Sequence, residues 1–144
     1  MNWFFFIVFL LMTLALIWNG KDFYTKKQWF KTLLMLLLVL VSTAVIGFIF
    51  KYLTQFFSLF SVATAKQYSI LFSMSLLCVW GLKVVVVLLC TIFDGIMAGH
   101  KAHNSQHYEK LSSVSRVVAP NLLIAAKGFI SLGSVLIFSG LWLK

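Results

Sequence analysis

Residues 32–50 run for nineteen positions without a charged side chain. As an α-helix that is about 28 Å, close to the hydrocarbon thickness of a bilayer. Comparable apolar runs occupy 2–19, 68–93 and 117–143. Of the 144 residues 62% are hydrophobic and only 10% charged, too few polar groups to coat a water-soluble globule. The expectation is an all-α integral membrane protein, one membrane domain over 1–144 built as a bundle of about four transmembrane helices, with polar loops at 20–31 and 94–116. After Lys51, Tyr52, Phe56 and Phe60 recur at i, i+4 and i+8 and make one aromatic face. That spacing predicts a short interfacial helix, or an extension of the second span, ahead of Lys66.

The first span is expected to stay on the protein. A secretory signal opens with positive charge and closes on a small-residue cleavage site, whereas Met1, Asn2 and Trp3 carry no basic group and Leu16-Ile17-Trp18 is no such site. Trp3 and Trp18, at its two ends, suit the headgroup level.

The net charge of +9 comes from twelve Lys and Arg against three acids, Asp22, Asp94 and Glu109. The basic residues lie mainly between the apolar runs, as expected for loops facing anionic headgroups, and no basic patch exceeds the segment around Lys21, Lys26, Lys27 and Lys31. Lipid headgroups are therefore the expected electrostatic partner, and nucleic acid is not. With four spans, the first and third loops share a side and hold seven basic residues, against Lys51, Lys66 and Lys144 on the other. That asymmetry predicts a multi-pass protein of a bacterial inner membrane with both termini outside.

Lys83 and Lys127 stand inside two apolar runs, with no carboxylate evident in sequence at the same depth. An ammonium at the bilayer centre costs a few kcal/mol on insertion scales, so such residues snorkel, face a cavity or meet a partner. The predicted topology puts both nearer the cytoplasmic side, where they would repel each other unless an anion, water or partner carboxylate lies between them. In the fourth span Ala125, Gly128, Ser131 and Ser134 recur every third residue, and small residues let helix backbones approach closely. Lys83, Lys127, Asp94, Gly128 and Ser131 are thus the expected intramembrane or partner contacts. Pro120 suits the first turn of that last helix.

Catalytic signatures are sparse. His100, His103 and His107 would share one helical face and are the sole metal candidates, weak ones against a solvated face that merely contains histidine. The residues Asp94-Gly95-Ile96-Met97-Ala98 resemble the opening D-G-x-x-A of the CDP-alcohol phosphotransferase signature, in which aspartates hold metal and the nucleotide diphosphate. Gly99 stands where that signature has arginine and its later aspartates are missing, so no activity carries over. Cys78 and Cys90, about 18 Å apart along one helix, cannot pair with each other. No cofactor and no catalytic role is expected. The reading that follows is a small non-catalytic subunit or accessory component of a larger membrane complex (secretion, conjugation or respiratory), with other membrane-protein subunits as partners. Two rivals are a homo-oligomeric channel, holin or transporter lined by Lys83 and Lys127, and a metal-dependent membrane enzyme built on the three histidines.

Overall fold

The computed structural model describes residues 2–57, 61–103 and 105–143, with the backbone alone at 57 and 105–117. Among these residues it is all-helical, with four helices: α1 Asn2–Asn19, α2 Lys26–Phe57, α3 Val62–His103 and α4 Ser105–Trp142. Each is long and apolar enough to cross a membrane.

Local chemistry sets the boundaries. α1 holds neither Gly nor Pro and ends where the Gly20 amide donates to the Leu16 carbonyl at 3.1 Å. The helix that follows starts earlier than hydropathy implies, because Thr25 to Gln28 form a reciprocal cap. The Gln28 amide donates to Thr25 Oγ1 at 3.4 Å and the Thr25 amide to Gln28 Oε1 at 2.8 Å. Tyr24 packs edge-on against Trp29, 5.7 Å between ring centres, as a hydrophobic staple across that cap. Residues 26–31, read from composition as loop, are therefore the first turns of α2. Ser61 caps α3 by accepting from the Thr64 amide at 3.1 Å.

The short interfacial helix is not a separate element among the described residues. Residues 51–57 prolong α2, where Tyr52 and Phe56 stack at 4.2 Å, and 62–65 open α3. The polar segment 94–116 is helical on both sides of residue 104, so α3 and α4 run well past the apolar stretches that seed them. Pro120 consequently lies inside α4 rather than in its first turn. With no N–H it cannot close a bond to the Arg116 carbonyl, one turn back.

α1, α3 and α4 make the core, and among the described residues α2 packs against α3 alone. Phe5 meets Phe72 and Trp142, so α1 runs parallel to α3 and antiparallel to α4. α2 is antiparallel to α3, with Phe50 against Tyr68 and Gly47 near Ser69. Its contact stripe includes Leu36, Val39, Ile46 and Phe50, half-buried at helical spacing, while Leu33, Leu37, Leu40 and Phe48 are exposed.

Candidate functional site

The interior is layered. Toward the start of α1, the buried Phe6, Phe9, Val79, Phe138 and Trp142 form an aromatic cluster, with Phe5 and Phe72 packed on it. Trp142 Nε1 donates to Ser75 Oγ at 2.9 Å, both fully buried, which satisfies the one polar atom that this large side chain brings inside. Eleven residues further along α3 from Phe72 stands Lys83, and eleven before Phe138 on α4 stands Lys127, each about 16 Å from the aromatic layer.

Lys83 and Lys127 are only 8% and 7% exposed, and they converge. Asp22, in the turn after α1, reaches between them. Lys127 Nζ donates to Asp22 Oδ2 at 2.8 Å, and Lys83 Nζ lies 3.6 Å from Asp22 Oδ1. At separations near 4 Å and an effective dielectric near 20, each attraction is about 4 kcal/mol before desolvation, and two of them oppose one lysine–lysine repulsion. A carboxylate shared by two ammoniums thus resolves the like-charge conflict within the chain.

Neighbouring groups orient the cluster. Lys127 Nζ lies 6.0 Å from the centre of the Trp18 ring, a cation–π contact. Trp18 Nε1 donates to Ser131 Oγ at 3.2 Å, and Ser131 Oγ donates to the Lys127 carbonyl at 2.7 Å. Gly20 makes room for the lysine stem: a Cβ there would lie 2.8 Å from both Cε and Nζ of Lys83 and would run into the Leu16 carbonyl oxygen. The cluster is incompletely bonded, since among the described residues neither Lys83 Nζ nor Asp22 Oδ1 has a hydrogen-bond partner. Its formal charge, two ammoniums against one carboxylate, is +1.

The residues singled out from sequence do not all come together. Lys83, Lys127 and Ser131 meet in this network, together with Asp22, Gly20 and Trp18, whose parts in it were not read from sequence. Asp94 is exposed on α3, eleven residues or about 16 Å beyond Lys83. The small residues of α4 do not share a face. A three-residue step turns the helix 300°, so the row drifts from exposed Ala125 through half-buried Gly128 and Ser131 to fully buried Ser134.

His100 and His103 are exposed and line an open groove with Ile96 and Gly99, and His103 Nδ1 lies 3.2 Å from the Gly99 carbonyl. The side chain of His107 lies outside the described residues. Among those described, no three His, Cys, Asp or Glu side chains come together as a metal site. Cys90 is buried and Cys78 half-buried, both as free thiols.

In comparisons with known proteins, no family model matches the chain, and no curated protein or solved structure is significantly similar to it.

Proposed function

We propose that this chain is a multi-pass membrane protein acting as a non-catalytic subunit or accessory component of a larger membrane assembly. Insertion rests on the four long apolar helices and on a composition no soluble surface accommodates. The basic side chains of the α1–α2 turn and the start of α2 favour the cytoplasm on their side, with both termini opposite, as in a bacterial inner membrane.

The observation that carries the partner role is the unequal length of the helices. α3 has 42 residues, about 63 Å, roughly twice a hydrocarbon core. The Gly47–Ser69 approach fixes the register of α2 against α3. Sixteen residues back from Gly47 is Lys31, and sixteen on from Ser69 is Val85, so both lie about 24 Å from that contact. The basic level that begins at Lys31 therefore corresponds to Val85 on α3. From there Val85, Leu88, Leu89, Ile92 and Ile96 are all exposed and fall at i, i+3, i+4, i+7 and i+11 on one helical face. Val118 and Leu122 of α4 are exposed as well. An apolar stripe that continues past the headgroup level has water rather than lipid to face, and such a stripe is what a protein partner covers. Asp22 occupies Lys83 and Lys127 internally, which withdraws the support they lent to a homo-oligomeric pore.

The test is purification in a mild detergent followed by identification of co-purifying chains. A stoichiometric membrane partner is expected, lost on Leu89→Glu with Ile92→Glu while alkaline-carbonate-resistant insertion persists. Recovery of a lone monomer would overturn the subunit role.

A further inference from the structure

We infer that the groove between α2 and α3 at the level of Lys51 and Lys66 binds one anionic phospholipid, its phosphate held between the two ammoniums. Room and access are both present. The groove measures about 280 Å³, roughly the space of nine waters in the liquid, and among the described residues it is lined from these two helices alone. Lys51, Lys66 and Ile70 on its walls are exposed, so it opens outward rather than into the bundle. Measured from the Gly47–Ser69 approach, Lys51 lies four residues on along α2 and Lys66 three back along antiparallel α3, about 6 Å and 4.5 Å in the same direction. The two lysines therefore flank one level of the groove.

Charge decides what fills it. Of the described acids, Asp22 is taken by Lys83 and Lys127, and Asp94 stands twenty-eight residues along α3 from Lys66, about 42 Å away. Among the described residues the two ammoniums thus have no carboxylate at their own level, and the ligand that suits them is an anion. Depth decides which anion. Lys31 and Lys51 are twenty residues apart with no charge between them, about 30 Å of helix and one hydrocarbon thickness. Given the membrane reading above, on which this site rests, Lys51 and Lys66 sit at the headgroup level opposite Lys31, beside the exposed Tyr52. Toward the bilayer centre the groove continues between Gly47, Phe50 and Ile70, which offer apolar surface to an acyl chain. A phosphodiester without a cation of its own balances the lysines better than a zwitterionic headgroup, which brings another ammonium to the same place.

The experiment uses the full chain in nanodiscs of mixed phosphatidylglycerol and phosphatidylcholine, with native mass spectrometry counting the lipid that stays bound. Wild type is expected to retain one phosphatidylglycerol with about a five-fold preference or more. Lys51→Met with Lys66→Met abolishes that preference, and both side chains are exposed, so the fold tolerates the change. Ile70→Trp, which fills the groove and leaves both charges in place, abolishes it too. Lys31→Met, at the other headgroup level, preserves it. An unchanged preference in the double variant would overturn the site, as would an equal loss in Lys31→Met, which marks a diffuse basic surface. A preference that survives Ile70→Trp would overturn the groove in favour of surface lysines alone. Carbonate extraction of the same preparations reports insertion separately. An inserted wild type that retains no phosphatidylglycerol fails the site and leaves the groove to a partner's acidic side chain, while a chain released by carbonate fails the membrane reading itself.

Discussion

At one end of the α1, α3 and α4 core, Phe5, Phe9, Phe72, Phe138 and Trp142 meet ring to ring around a single indole-to-serine hydrogen bond. About 16 Å away the same three helices are tied by one carboxylate between two ammoniums, delivered by a turn rather than a helix. The aromatic end joins helices through area and shape, so removing any ring leaves a void. The charged end joins them through a balance of signs, so removing a group matters according to which charge is left over. In lipid this distinction is sharper than in water, because apolar contact has little hydrophobic drive and packing and polar contacts carry more of the specificity.

The comparison breaks most visibly at Trp142. Trp142→Ala removes the largest fully buried side chain and orphans Ser75, and it should cost about 3 kcal/mol or more, seen as a large fall in thermal midpoint in detergent. Asp22→Ala comes next, at about 2–3 kcal/mol, since it leaves two buried ammoniums facing each other at a site still partly open to solvent. Restoring neutrality in that background with Lys83→Met and Lys127→Met should recover most of the loss. Failure to recover would mean that Asp22 serves the turn rather than the lysines.

Gly20→Ala is expected to cost about 1–2 kcal/mol by pushing the Lys83 stem and the end of α1 apart, readable as a lower midpoint and faster proteolysis at the turn. Thr25→Ala removes the cap of α2 and should cost about 1 kcal/mol, with Thr25→Ser close to wild type. Lys83→Met alone should be smallest, under about 1 kcal/mol, because the remaining Asp22–Lys127 pair is neutral and bonded.

Much of the helical framework is legible in the residues. The apolar runs at 32–50 and 68–93 lie within α2 and α3, and a period of 3.6 accounts for which residues of α2 turn toward α3. The extensions are legible too, but in chemistry other than hydropathy. Thr25 with Gln28, and Ser61 with Thr64, are capping pairs that a search for apolar spans passes over. The length of α3 past Phe93 was hidden because polar helix and polar loop share a composition.

At the charged cluster, sequence puts Lys83 and Lys127 on the same side of the membrane and leaves snorkelling, an anion, water or a partner carboxylate as ways to relieve their repulsion. It does not say that the acid comes from a turn more than sixty residues before Lys83. Asp22 is masked by Lys21, Lys26 and Lys27, among which its charge reads as a minority. What makes it available is the short α1, which ends a turn away from the lysines, together with a glycine thin enough to let Lys83 pass. The drift of Ala125, Gly128, Ser131 and Ser134 around α4 is a plainer lesson: a repeat of three does not hold one face of a helix that needs 3.6.

The shared carboxylate is tested most directly by a double-mutant cycle on Asp22 and Lys127, reading unfolding free energy of wild type, Asp22→Asn, Lys127→Met and the pair in one detergent. With the two groups bonded at 2.8 Å, a coupling of about 1 kcal/mol or more is expected, and Lys127→Met should be less damaging, or even stabilising, once Asp22 is neutral. Strict additivity of the two changes would contradict the account.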